Sequence, residues 1–232
     1  MNGEITPPQE QKWSFLKNII KARKSYKQPY ASTPIDKKTI KEALKIAIFA
    51  PNAHNCQPWR FITFHNQFTS HNSLRKDVLN EMALEFKRDL IKDGKKPQDA
   101  EKIALNSNNR FLDAPVLILC CLDASALDPY VDAARRESEY IMGTQSLAAA
   151  ITQLLLALEA KDLQACWYCA PLFAQQTIKT KLNLPESYHP QAFITTGYKK
   201  GDTLQNAHQR TPITRVLHEP SHFLDKDLGG VN

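Results

Sequence analysis

The stretch Pro115-Val116-Leu117-Ile118-Leu119-Cys120-Cys121-Leu122 decides the fold class of this chain of 232 residues. It is apolar at alternate and intervening positions alike, which is the pattern of a strand covered on both faces. β-favouring residues predict three further strands, at Arg60–Phe64, Ala165–Tyr168 and Gln191–Thr196. Helices occur among these strands without strict alternation. The pattern therefore predicts an α+β fold with layers of helices on a central sheet.

Apolar residues at helical spacing predict the helices of the chain. Asp36 is placed to cap one of them, and Pro51 ends it. The longest is apolar almost all round between Leu147 and Leu158, which predicts burial and suits a subunit interface. The predicted helices are Lys12–Ala22, the one from Asp36 to Pro51, Ser73–Asp93, Gln98–Asn109, Ser138–Ala160 and Phe173–Leu182.

Composition narrows the class of protein. The hydrophobic fraction of 42% beside 23% charged residues is ordinary for a globular protein, and no apolar stretch approaches the roughly 20 residues that span a bilayer. The first residues resemble no secretory signal, and an odd set of five cysteines indicates reduced thiols, so we expect a cytoplasmic protein. The charge of +6 is dispersed, which argues against nucleic acid as a partner.

One domain is expected, because a chain of this length removes about 70% of its unfolded surface from water as a single unit. Its predicted bounds are residues 12–218. Residues 1–11 are predicted to be an N-terminal arm, and residues 219–232 a C-terminal tail.

The most informative loop reads Ala50-Pro51-Asn52-Ala53-His54-Asn55-Cys56-Gln57-Pro58-Trp59-Arg60. Its two prolines restrict the backbone at both ends. Asn55 and Gln57 each offer a carbonyl and an NH₂ group, the mixed set that matches the edge of a flavin or another heteroaromatic ring. The other interpretation is an amide-stabilised turn with Trp59 as a core anchor.

A second motif, Arg23-Lys24-Ser25, lies at the end of the first predicted helix. Two cations and a hydroxyl donor suit a phosphate group, and arginine adds a bidentate fork. A basic triplet at a helix end is also typical of a solvated C-terminus that complements the helix dipole.

In this order the motifs resemble the nitroreductase-like family of FMN-dependent oxidoreductases. Its members show an Arg-x-Ser start and a Pro-Ser-x-x-Asn-x-Gln-Pro-Trp loop, and here Asn52 replaces the serine. The segment Arg210-Thr211-Pro212-Ile213 looks like the closing Arg-x-Pro-Leu element of the family. The resemblance spans roughly residues 12–217.

The resemblance implies a central mixed or antiparallel sheet in an intertwined homodimer whose subunits share two active sites. It further implies FMN as cofactor, NADH or NADPH as donor in a ping-pong reaction, and a small-molecule acceptor such as a nitroaromatic or quinone. The loop would border the flavin from the other subunit. The implied FMN-binding residues are Arg23, Lys24, Ser25, Pro51, Asn52, Ala53, Asn55, Gln57, Ala170, Pro171, Leu172 and Arg210.

Within the family, the segments 145–150 and 166–172 resemble the subgroup of the FMN domain fused to deazaflavin-cofactor gamma-glutamyl ligases. A reductase of a flavin or deazaflavin precursor and a dehalogenase are therefore alternative functions. A non-catalytic flavin carrier, or a basic protein that binds nucleic acid, would be a function of another class.

Other chemistries have little support in the sequence. Cys166 and Cys169 form a Cys-x-x-Cys pair, but the sequence has no second pair to complete the four ligands of a zinc site. Two buried thiols are therefore the simpler interpretation. The seven histidines are scattered, and we predict no metal site. His54 is the histidine nearest the predicted chemistry, either as a proton donor or as a cap of the loop.

Overall fold

The computed structural model describes residues 8–201 and 209–218. Within them, four strands form one antiparallel sheet in the order β1-β2-β4-β3. The strands are β1 (Trp59–His65), β2 (Val116–Asp123), β3 (Leu163–Tyr168) and β4 (Tyr188–Tyr198). The predicted α+β class and the central sheet are confirmed, and each predicted strand is present. Strand β2 is shifted by one residue, β1 and β3 are slightly longer than predicted, and β4 is longer by five residues.

Strand β2 is buried at all eight positions, as its continuous apolar sequence predicts. Val116, Ile118 and Cys120 belong to the core on one face of the sheet. Leu117 and Leu119 belong to the core on the other face. Neighbouring side chains of a strand point to opposite faces, so an unbroken apolar run needs helices on both sides.

Six helices lie in the described part of the chain. They are α1 (Gln9–Ala22), α2 (Lys37–Ala47), α3 (Thr69–Lys92), α4 (Pro97–Leu112), α5 (Ala133–Glu159) and α6 (Gln175–Leu182). Helices α2 and α5 contribute to the first core, and α3, α4 and α6 contribute to the second. As predicted, the Asp36 carboxylate caps α2, where it accepts the Lys38 amide at 2.9 Å.

Helix α2 ends at Ala47, before the predicted end at Pro51, and helices α1 and α3 begin earlier than predicted, at Gln9 and Thr69. Two further helix starts also differ from the sequence-based prediction. Helix α5 begins at Ala133, ahead of the predicted Ser138, because the Asp132 side chain caps it by accepting the Arg135 amide at 2.9 Å. The last helix begins at Gln175 because residues 170–173 form a separate 3₁₀ turn. Neither difference changes the order of the elements.

Helix α5 is, among the described helices, the one long and apolar enough by composition to cross a membrane, with a mean hydropathy of 1.5 over 18 residues. The sequence-based expectation that no apolar stretch approaches the length of a membrane span therefore does not hold for α5. Core helices meet the same criterion, and Leu147, Leu154 and Leu158 of α5 are buried in the core beside the sheet. The apolar residues of α5 thus have a place in the core.

The segment of residues 25–31, here called the N-terminal segment, closes one edge of the sheet. Ser25 makes a parallel bridge with Ala165 of β3. At its other end the Ala31 amide donates to the Tyr198 carbonyl at 2.9 Å. The Tyr30 hydroxyl lies 2.9 Å from the Thr195 hydroxyl of β4. Helix α1 is thereby attached to the sheet through backbone contacts.

Gly197 of β4 lies beneath the N-terminal segment. A Cβ atom at Gly197 would lie 2.6 Å from the Tyr30 ring and 2.9 Å from Pro115 Cδ. Such distances are shorter than any ordinary van der Waals contact. The absence of a side chain is therefore what allows the Tyr30 ring to lie on β4.

We expect Gly197→Ala to lower the free energy of unfolding by about 1–3 kcal/mol, as is typical of overpacking. Urea denaturation measures this change. In a Tyr30→Ala background the same substitution should cost less, because the ring that meets the new methyl group is gone. Equal costs in the two backgrounds would contradict the proposed contact.

Candidate functional site

The loop of residues 51–57, here called the amide loop, has an unusual backbone. His54, Asn55 and Gln57 have positive φ angles of 52°, 53° and 46°. Asparagine tolerates this left-handed region, but histidine and glutamine adopt it rarely. Such conformations cost of the order of 1–3 kcal/mol each and cluster where a ligand is held. The loop is therefore a candidate binding element on its geometry alone.

Side-chain hydrogen bonds fix this conformation. The Asn52 side-chain oxygen Oδ1 accepts the backbone N–H of Gln57 at 2.9 Å. The Asn52 side-chain NH₂ group donates to the backbone carbonyl of Ala50 at 3.3 Å. The Ala53 amide donates to the Ser146 hydroxyl of α5 at 3.2 Å. Asn52 thus acts within the loop, whereas Pro51, Asn55 and Gln57 expose their side chains.

The end of the amide loop is held to strand β2. The Arg60 guanidinium donates to the Gln57 carbonyl at 3.2 Å and to the Trp59 carbonyl at 2.9 Å. Its second nitrogen pairs with the Asp123 carboxylate at 2.6 Å. Trp59 is buried in the core, as the anchored-turn interpretation requires. The anchor and the exposed amides occur together, and the match of these amides to a flavin edge stays a prediction.

The Asp123 carboxylate is stabilised in its charged form. Burial alone would raise its pKa, but hydrogen bonds from Ser125 and Ser187 and the charge of Arg60 outweigh burial, and the pKa lies below its usual value. Asp123 also caps the short turn after β2, where it accepts the Ser125 amide. One carboxylate therefore joins the loop, the sheet and the turn that follows β2.

The basic triplet lies at the opposite edge of the sheet. Arg23 is the C-cap of α1, and Ser25 is bridged to β3. Arg23 and Lys24 face the half-buried Glu159 at the end of α5. Burial raises the pKa of Glu159, and the charges of the two cations oppose that rise. Asp162 is a second carboxylate near Glu159, so two cations and two carboxylates meet at this edge. The guanidinium of Arg23 and the exposed Ser25 are groups that suit a phosphate.

The third predicted element, Ala170-Pro171-Leu172, lies in the 3₁₀ turn after β3. Pro171 is buried and Leu172 is exposed. Ala170 lines a cavity of about 390 Å³ between this turn and helices α3 and α4. Nearby, both Cys166 and Cys169 are free thiols, but only Cys166 is buried, so the prediction of two buried thiols is wrong for the exposed Cys169, which lies beyond the end of β3. The cavity gives this turn an open space beside it for a small molecule.

One chain does not bring all the predicted residues together. The amide loop precedes β1 and the triplet borders β3, at the two edges of the sheet. Three strand spacings separate these edges, a distance of about 14 Å. Arg210 is exposed in the described segment of residues 209–218, and the structure does not unite it with the triplet.

Another constellation escapes sequence inspection. A nitrogen of His54 and carboxylate oxygens of Asp128 and Glu139 all lie within 4.8 Å of one another. Burial raises the pKa of the nearby Cys56 thiol, and the charges of Glu139 and Asp128 raise it further. These residues are far apart along the chain, and no spacing motif links them. In the sequence, only Glu139 could have indicated the cluster, as a carboxylate near the start of the long helix, and such positions are usually exposed to solvent.

Comparison with known proteins agrees with this geometry. The family model described as Nitroreductase family matches residues 20–198. The chain belongs to the nitroreductase family. YfhC of Bacillus subtilis (strain 168), provisionally named an NAD(P)H nitroreductase, is 25% identical over 200 residues, which are 86% of this chain and 91% of YfhC. The similarity to such relatives supports an oxidoreductase.

Solved structures confirm the nitroreductase-like fold. A provisionally named nitroreductase from a Desulfovibrio desulfuricans subspecies, crystallised with FMN, has a TM-score of 0.63 and 22% identity, with 92% of this chain and 98% of that chain covered. A BluB-like flavoprotein from Clostridium difficile 630 has a TM-score of 0.67 and 20% identity, with 88% and 98% covered. At these identities the likeness shows the fold.

Because the pKa of Asp123 is lowered in the folded protein, its charge stabilises the fold above the ordinary pKa of an aspartate. That contribution is lost as the pH falls through the lowered folded-state value. Asp123→Asn should therefore lower the free energy of unfolding by about 1–3 kcal/mol at neutral pH. The difference from wild type should shrink in acid. Urea denaturation across a pH series measures it.

Asp77→Asn, at an exposed position of α3, is the matched control and should show little effect at any pH. A difference for Asp123→Asn that stays constant from neutral to acid pH would show that the charge of Asp123 is not what stabilises the fold.

Proposed function

We propose that the protein is an FMN-dependent oxidoreductase that takes electrons from NADH or NADPH and passes them to a small organic acceptor, such as a nitroaromatic or a quinone. The amide loop carries the proposal. Its strained residues are held in place by Asn52, Ser146 and Arg60, while the amide groups of Asn55 and Gln57 stay exposed. The Gln57 NH₂ group donates to the Asn55 side-chain oxygen at 3.4 Å, and exposed polar groups held side by side in this way suit a ligand edge.

The phosphate end of FMN would be held by the triplet. The Arg23 guanidinium can present a bidentate fork, with Lys24 and the Ser25 hydroxyl beside it. Each charge-assisted hydrogen bond contributes about 1.5–3 kcal/mol. The exposed position of Ser25 beside Arg23 supports this assignment. By family resemblance Arg210 would add a second guanidinium.

The ring end would be bordered by Pro51, Asn52, Ala53, Asn55 and Gln57 on one side, and by Ala170, Pro171 and Leu172 on the other. Bound FMN supplies the hydride and electron chemistry. The chain supplies donors: the NH₂ groups of the exposed amides can stabilise negative charge that develops at the ring edge. No nucleophilic side chain is required in this arrangement.

The cavity beside Ala170 is proposed as the place of the acceptor. Met82, Phe86 and Phe111 give it a largely apolar and aromatic lining. Its volume of about 390 Å³ lies in the range of small-molecule sites. Asn108, at the cavity wall, has a buried side-chain oxygen without a hydrogen-bond partner. This combination favours a planar apolar acceptor that carries a polar substituent.

A homodimer is proposed to complete each site. Two observations support a homodimer: the two halves of the proposed site lie at opposite edges of the sheet of one chain, and apolar side chains are exposed. Trp13, Phe15 and Ile20 of α1 are exposed, and Phe49 after α2 is 80% exposed. Apolar surface of this kind is typical of a protein interface. We also propose a cytoplasmic location, in agreement with the five free cysteines.

The purified protein should be yellow, or become so when FMN is added, and NADH or NADPH should bleach its visible flavin band without oxygen. Visible absorption measures both steps, and Arg23→Ala should weaken FMN binding at least about tenfold, since it removes charge-assisted hydrogen bonds. Lys21→Ala is the matched control and should bind normally.

A protein that binds no FMN would contradict the proposal. Bound FMN that neither NADH nor NADPH reduces would instead identify a flavin carrier. Salt-sensitive binding of DNA or RNA by a colourless protein would point to a nucleic-acid-binding function.

Arg23→Ala and Asn55→Ala should each impair FMN binding, but a heterodimer of the two variants should contain one intact site. The reason is that the proposed site takes the triplet from one subunit and the amide loop from the other. Co-expression with two different tags isolates this heterodimer, and its flavin content is compared with that of each variant alone. A heterodimer without recovered flavin would show that each site is built within one subunit.

A further inference from the structure

The cluster of His54, Asp128 and Glu139 is assembled by helix α5. Glu139, Gly143 and Ser146 follow each other at helical spacing and are all buried, so they share one face of α5. Ser146 holds Ala53, the neighbour of His54, through its hydroxyl. A Cβ atom at Gly143 would lie 2.7 Å from the Leu127 side chain, so glycine admits the segment that carries Asp128. The three side chains are therefore brought together by contacts that need no ion.

Glu139 is the unusual member of the cluster. It is only 2% exposed, and its oxygen Oε2 has no hydrogen-bond partner. Its other oxygen, Oε1, accepts the backbone amide of Asp128 at 3.3 Å, which fixes the direction of the carboxylate. A buried carboxylate oxygen without a partner is costly, because it has lost its water. This oxygen points to a missing positive partner.

His54 and Asp128 complete the set from the solvent side. Both are exposed. Among residues 8–201 and 209–218, the His54 ring makes no hydrogen bond or ion pair with either carboxylate. Two atoms bonded to one zinc ion lie about 3–4 Å apart, given bonds of about 2.0–2.2 Å. The three ligand atoms lie within 4.8 Å of one another, so ion binding would require the two exposed side chains to move closer to Glu139.

We propose that His54, Asp128 and Glu139 form a binding site for a divalent transition-metal ion of the zinc type. One imidazole nitrogen with two carboxylate oxygens selects such an ion over magnesium or calcium, which prefer oxygen ligands throughout. Two carboxylates balance the charge of the ion, and a water molecule fills the open position toward solvent. This proposal departs from the sequence-based prediction of no metal site.

The ion would connect the amide loop to α5 and to the segment before it. His54 has a positive φ angle of 52°, and coordination would hold it in that conformation. Coordination would occupy one ring nitrogen of His54 and make it a structural ligand, a role that differs from both roles predicted from the sequence. Zinc binding can be measured directly, without an activity measurement.

The full-length protein, freed of metal by dialysis against a chelator, should bind one zinc ion per chain when titrated with zinc chloride. Calorimetry gives affinity and stoichiometry, and elemental analysis after gel filtration counts the bound zinc. His54→Ala and Glu139→Gln should each weaken this binding at least tenfold. Glu137→Gln, an exposed position on the same helix, is the matched control and should bind as wild type.

Thermal unfolding separates loss of binding from loss of folding. Zinc should raise the Tm of wild type and of Glu137→Gln, and raise that of His54→Ala clearly less at the same zinc concentration. His54 is exposed, so its variant remains a valid test even where Glu139→Gln fails to fold. Equal zinc binding by wild type and His54→Ala would mean adventitious ions on other histidines and would overturn the proposal. Absence of binding, or a preference for magnesium, would overturn it as well.

Discussion

The burial of strand β2 on both faces is the constraint on which the rest of the structure depends. Every position from Val116 to Asp123 is removed from solvent, so each face of the sheet must be covered by helices. Helices α2 and α5 cover one face, and α3, α4 and α6 cover the other. The polar segments of the candidate site are left to the ends and edges of the sheet.

The amide loop shows how this framework holds an unfavourable backbone conformation. Positive φ angles at His54 and Gln57 persist because the surrounding contacts outweigh their cost. Ser146 holds the start of the loop, and the pair of Arg60 and Asp123 holds its end. A ligand that meets such a loop does not have to order it, so less of its binding free energy is lost on binding.

The sequence allowed the prediction of features that depend on local patterns. The unbroken apolar run predicts the central strand, and Asp36 predicts the start of α2, because both signals depend on a few consecutive residues. The early start of α5 was not predicted, since after Ala133 and Ala134 the first turns continue with the charged residues 135–137 and show no apolar stripe. The grouping of His54 with Glu139 was missed because it depends on the packing of distant segments on α5. Which residues meet FMN stays a prediction.

The N-terminal segment makes the two edges of the sheet unequal. Beside β3, Ser25 and the Tyr26 amide are engaged with Ala165, and Ala31 is bonded to Tyr198. Local opening at that edge must first release helix α1 and its connection, whereas opening at the β1 edge needs no such step. Backbone amides of β3 should therefore exchange with solvent through larger, more cooperative fluctuations than those of β1. The Arg23 and Ser25 positions belong to the slower of these two regions.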